Sequence, residues 1–175
     1  DAEAGDELPI VGEGALLASR GALLGDPGRP NDGLRAHVEW TNRLMDHAAM
    51  ARERFVDAPL VHPSVALRRC VLERLGGYRA FDGPEDYDLW LRAFQQGHRF
   101  AKIAETLLDW RDSAGRLTRT DSRYAADRFF ALKREALLAG PLASGRPIVV
   151  WGAGPIGKRW SRLLRSAGRS VAGSR

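Results

Sequence analysis

A chain of 175 residues, 44% of them hydrophobic, with a mean hydropathy of −0.32, is long enough for one domain with a real core, or for one domain and part of another. No apolar run approaches the length of a membrane span, the acidic stretch from Asp1 to Glu7 does not read as a signal peptide, and a lone cysteine, Cys70, excludes an internal disulfide framework. The net charge of +5 is lopsided: the first 135 residues hold 20 bases against 22 acids, and the rest hold seven bases and no acid, so the basic character belongs to the tail, where only Trp151 and Trp160 could stack on bases and no nucleic-acid partner is expected.

Along the chain, a strand is predicted at 8–11, a second apolar run at 15–19, and a loop at 25–33 dense in Gly, Pro, Asn and Asp. Leu34, Val38, Leu44, Met45 and Ala48 recur near the helical period and predict a helix ending before Phe55. A strand follows over 59–68, on Leu60, Val61, Val65 and Leu67. A short helix over 71–75 is stopped by Gly76 and Gly77, with Cys70 read as a small buried residue at its start. A strand is predicted over 101–108 and a polar loop over 118–124. An amphipathic helix over 125–138 carries Phe129, Leu132, Ala136 and Leu137 on one side. Gly140 and Pro141 end it, and 142–146 reads as a linker.

The densest chemistry lies between, in Gly76-Gly-Tyr-Arg-Ala-Phe-Asp-Gly-Pro-Glu-Asp-Tyr-Asp-Leu-Trp-Leu-Arg92. A helix is predicted over 85–96, with Pro84 suited to its first turn. Leu89, Trp90, Ala93 and Phe94 form its apolar face, and Gly97 its stop. Glu85, Asp86 and Asp88 then sit at the helix mouth. That is a place for a general base, and equally a place where acids complement the helix dipole. Arg92, four residues after Asp88, reads as half of a solvated helix pair.

The tail changes character. Pro147-Ile-Val-Val-Trp151 reads as a buried strand leading into Gly152-Ala-Gly-Pro-Ile-Gly157 and an Arg-rich helix. Strand, G-x-G-x-x-G and helix stand in the order of a dinucleotide fold, where Gly152, Gly154 and Gly157 would bring a pyrophosphate to the helix start. The acidic residue expected about 20 positions on, to hold a ribose, is missing. Only one βα unit is present, so NAD or NADP binding is not expected.

The block at 76–92, with His62-Pro-Ser64 upstream and Trp110-Arg-Asp-Ser-Ala-Gly-Arg116 downstream, resembles the second half of bacterial family 2 glycosyltransferases of the GT-A fold. The likeness runs from about Val38 to Gly140. It implies an α/β chain: a partial GT-A, nucleotide-diphospho-sugar transferase-like, fold over 1–140, followed by a truncated Rossmann-like βα unit over 141–175, a pairing that such sequences sometimes carry.

The resemblance further implies transfer of a sugar from a nucleotide-sugar donor to an acceptor hydroxyl with inversion, in cell-envelope glycan synthesis, with a glycan or lipid-linked acceptor. Asp86 takes the role of base and Glu85 orients it or touches the acceptor. Placed at a helix N-terminus, Asp86 is expected to have a lowered pKa and to be a weakened base. Arg111 and Arg116 are the candidates for the leaving diphosphate, and His62 and Trp90 for substrate contact. His62 bonded to nearby backbone is an equal alternative, and Trp90 and Trp110 suit the core better than a sugar platform. A divalent metal, Mg or Mn, is expected for the complete enzyme, but no metal ligand is assigned: no Asp-x-Asp precedes Asp86-Tyr-Asp88, and Ser113 stands where many relatives have His. The chain is expected to be a fragment lacking the donor-binding half, cytoplasmic or peripheral at the inner membrane face. Two other readings compete: a non-catalytic module that binds acceptor or partner, and a fragment of a dinucleotide-binding oxidoreductase, which rests on Gly152 to Gly157 alone.

Overall fold

The structure, a computed structural model, describes residues 16–24 and 32–172; the strand predicted at 8–11 lies outside them. The fold is mixed α/β, with a small sheet and several helices. It divides into two compact units, residues 1–128 and 129–175. The predicted boundary near residue 140 therefore lies within the second unit.

In the first unit the apolar run at 15–19 extends into a strand, β1 (Leu16–Leu24). β1 is the middle of three strands: β2 (Val65–Leu67) pairs with it antiparallel and β3 (Phe100–Arg111) parallel. The β1–β3 register slips on either side of Arg20. At that irregularity the Asn42 side chain takes the place of a strand partner: its amide donates to the Gly21 carbonyl at 2.7 Å and its oxygen accepts from the Gly21 amide at 3.0 Å, which leaves neither backbone group unpaired.

The helix expected from Leu34 to a point before Phe55 is two, α1 (Asp32–Arg43) and α2 (His47–Glu53). Asp46 caps α2 by accepting the Ala49 amide at 2.8 Å, and such a cap restarts a helix rather than continuing one. The strand predicted over 59–68 is mostly absent. Residues His62–Ser64 form a 3-10 turn, with the Ser64 hydroxyl bonded to the Val61 carbonyl at 2.7 Å, and only Val65–Leu67 are strand. Two more helices follow, α3 (Arg69–Arg74) and α4 (Glu85–Gln95). Cys70 is exposed at the start of α3, and Val71 fills the core position in its place. The predicted polar loop over 118–124 contains a short helix, α5 (Leu117–Thr120), and a 3-10 turn, Ser122–Tyr124.

The core joins the sheet to α4: Leu16, Ala18, Met50, Leu60, Val71, Leu89, Trp90, Ala93 and Phe100 form one cluster. A lysine is buried beside it. Lys102, in β3, donates from Nζ to the carbonyls of Thr41, in the last turn of α1, at 2.6 Å and of Pro59 at 3.3 Å. The Thr41 carbonyl also accepts the Leu44 amide at 3.1 Å, so the lysine is its second donor at the end of α1.

The second unit contains α6 (Ala126–Ala139, which begins just before the division), β4 (Ile148–Val149), α7 (Pro155–Ser166) and β5 (Val171–Ala172), with β4 and β5 parallel. Phe130 of α6 meets Trp160 of α7 at a centroid distance of 5.3 Å, and the Arg159 guanidinium lies 3.8 Å from the Phe130 ring centre. These contacts place α6 with the tail. Gly157 approaches the loop so closely that a Cβ would come within 1.9 Å of the Gly152 carbonyl oxygen, the close approach that the glycine motif predicts.

Candidate active site

Helix α4 sets the site. Glu85, Asp86 and Asp88 lie in its first turn, where unpaired amides favour negative charge. The fold gives the three carboxylates three different environments.

Asp88 is structural. It is 1% exposed. It accepts from Arg92 Nε at 2.8 Å and from Arg79 Nε at 3.0 Å, and its other oxygen meets a second Arg79 nitrogen. Arg92 goes on to donate to the Leu75 carbonyl and, at 2.8 Å, to that of Gly77. The expected solvated pair is therefore a buried one, because α4 is buried at every position from Tyr87 to Leu91 and not along one stripe. It ties α4 to a turn that passes through Gly76 and Gly77 at φ 74° and 68°, a region side chains other than glycine rarely adopt.

Asp86 is half-buried and accepts the Tyr87 amide at 2.7 Å. The lowered pKa expected from the helix terminus is reversed. Burial pushes the Asp86 carboxyl up, and the neighbouring Glu85 charge adds to that, against the Tyr87 amide and His62, which pull it down. Desolvation outweighs the helix end, so Asp86 is a stronger base than its position alone implies.

Glu85 is held from outside the helix. Tyr124 donates its hydroxyl to the Glu85 carboxylate, 3.1 Å from each oxygen. Burial and the Glu85 charge push the Tyr124 hydroxyl up to about 12, so it stays a donor. Across the site, His62 Nε2 and the Tyr78 hydroxyl are 2.7 Å apart. His62 thus bonds a side chain rather than the backbone partner considered for it. Burial and the charges of Asp86 and Glu85 raise the Tyr78 pKa, which places its hydroxyl within electrostatic reach of both acids.

The other candidates divide. Trp90 is fully buried in the core, with the His62 ring edge-on to it at 6.1 Å; it offers no face to a substrate and instead supports His62. Arg111 ends β3 and is exposed. Arg116 lies over the Trp110 ring at 4.7 Å and pairs with Asp112 at 3.6 Å. Among the described residues no ion pair joins either arginine to Glu85 or Asp86. Tyr78 and Tyr124 are the residues that sequence reasoning missed. Tyr78 stands inside the Gly-Gly-Tyr motif and was legible there, whereas nothing in the sequence links Tyr124 to an acid 39 residues away.

Among the described residues no group of three or more His, Cys, Asp or Glu side chains is placed to hold a metal ion. None of their helices is long and apolar enough to cross a membrane. Gly152, Gly154 and Gly157 belong to the second unit, with Gly152 and Gly154 exposed.

The chain is similar to a known enzyme over a short stretch. It is 39% identical over 56 residues to the UDP-Gal:alpha-D-GlcNAc-diphosphoundecaprenol beta-1,3-galactosyltransferase of Escherichia coli, a match covering 32% of this chain and 20% of that protein. No family model matches the chain. No solved structure matches it.

Proposed function

We propose that the first unit is the acceptor-side part of an inverting glycosyltransferase of the GT-A, family 2 type, acting from a nucleotide-sugar donor on a glycan or lipid-linked acceptor in cell-envelope synthesis. The observation that carries this reading is the contrast between adjacent acids: Asp86 half-buried with raised proton affinity, and Glu85 fixed by Tyr124. The local likeness to a galactosyltransferase supports it.

In this reading the acceptor hydroxyl gives its proton to the Asp86 carboxylate as its oxygen bonds to the anomeric carbon. The bond from that carbon to the diphosphate breaks, and the nucleoside diphosphate leaves with the electron pair. Glu85 positions the acceptor, and Asp88 holds the helix mouth in place. A divalent metal belongs to the proposal for the complete enzyme. The described residues form no site for it, and no step here is assigned to it.

Sugar transfer is assayed with UDP-galactose and an N-acetylglucosaminyl-diphospho-lipid, both in the chain itself and in a chain joined to a donor-binding half. Asp86→Asn should lower turnover on the order of 10²–10⁴-fold and leave donor affinity unchanged, because the base acts on the acceptor proton. Glu85→Gln should cost less. The acid limb of the pH–rate profile should lie above the ordinary aspartate range, since Asp86 must lose its proton to act. Near-normal turnover in Asp86→Asn would refute the assignment.

A further inference from the structure

We infer that Tyr78, clamped by His62, is the aromatic platform on which the pyranose ring of an acceptor sugar stacks. This rests on the glycosyltransferase reading and extends it to acceptor recognition. Tyr78 is 44% exposed yet held at both ends. Its hydroxyl meets His62 Nε2 at 2.7 Å, and the His62 ring is seated edge-on against the buried Trp90. Its backbone follows the Gly76–Gly77 turn, which Arg92 fixes through the carbonyls of Leu75 and Gly77. A large aromatic surface left in water and immobilised in this way loses little conformational freedom when it is covered.

The chemistry beside it selects the ligand. A pyranose has an apolar C–H face and a rim of hydroxyls. The tyrosine ring takes the face, and the carboxylates of Glu85 and Asp86 accept from the rim. Three other aromatic rings of the first unit are occupied. Trp90 is buried, Trp110 is covered by Arg116 and met edge-on by His37, and the exposed Phe81 ring lies against Gly83 with the Arg79 guanidinium 5.8 Å from its centre. His62 is then a positioning residue, and its partner Tyr78 the one that touches sugar.

The test is an NMR titration of the whole chain with methyl N-acetyl-α-D-glucosaminide and methyl β-D-galactoside, with sorbitol as the open-chain control. The Tyr78 ring signals, assigned by their loss in Tyr78→Phe, should shift saturably with a pyranoside and not with sorbitol. Tyr78→Ala should weaken binding roughly tenfold, the loss expected of a stacked ring contact. Tyr78→Phe, which keeps the ring, should lose less. His62→Ala should weaken binding, and His62→Gln, which can still bond the hydroxyl, should restore it. If Tyr78→Ala does not fold, the Tyr78→Phe and His62 variants carry the same comparison. No saturable shift with either glycoside overturns the platform, as does unchanged affinity in folded Tyr78→Ala or equal affinity in the two His62 variants. Tyr78-dependent glycoside binding without Asp86-dependent transfer would refute the transferase reading and leave the sugar site standing. Transfer lost in Asp86→Asn but with an acceptor KM indifferent to Tyr78→Ala would refute the platform alone.

Discussion

The buried Asp88–Arg92 pair makes the sharpest demand on the fold. Asp88→Asn removes the charge that both Arg79 and Arg92 face, and leaves the Arg92 guanidinium, 13% exposed, with two carbonyls and no anion. Breaking a buried pair from one side costs about 3–5 kcal/mol. The Arg79 contribution is set aside, because that side chain is 45% exposed and a solvated pair adds little. A small domain has a total stability of about 5–15 kcal/mol, so the loss is a large fraction of the whole. With a urea m-value near the middle of the usual range of about 1–3 kcal/mol/M, the midpoint should fall by roughly 2 M. The buried Trp90 reports it by fluorescence. The loss should also loosen the turn at Gly76 and Gly77, seen as faster amide exchange there than in β1. A double-mutant cycle with Arg92→Gln should recover most of the coupling, since the two changes remove one interaction. A midpoint within a few tenths of a molar of wild type would refute the reasoning, because Arg92 would then have water or another acceptor to turn to.

Other expectations follow from single side chains. Burial lowers the Lys102 pKa from 10.5 to about 8, so the folded chain sheds this proton before the unfolded chain does. Stability relative to Lys102→Met should therefore be lowest below pH 8 and rise by up to about 3 kcal/mol by pH 10.5; urea midpoints of the two proteins across that range check it, and a flat difference refutes it. Gly157→Ala forces a Cβ against the Gly152 carbonyl, whereas Gly154 has open space around it and a φ of −71°. The first should destabilise the second unit by about 1–3 kcal/mol and Gly154→Ala should leave it within about 0.5 kcal/mol, read as amide exchange in α7.

Local sequence carried the ends of α4, the short helix α3, the turn glycines and the glycine-loop helix α7, because each rests on neighbours a few residues apart: Pro84 and Gly97 bracket α4, and the three acids crowd its first turn. The acid block and its helix were legible for the same reason. What needed the tertiary structure was which way each acid faces. Asp86, Asp88 and Glu85 have nearly the same sequence surroundings, and they differ because distant residues reach them: Arg79 and Arg92 the second, Tyr124 the third, and close packing the first. The helix-end argument for Asp86 failed because it counted the favourable amides and not the water removed. His62 was expected in a strand but lies in a 3-10 turn, where Ser64 and Pro63 fold the chain back and bring its ring to Tyr78. Periodicity reports which residues want to be buried; only the packed chain decides what each buried or half-buried group meets there.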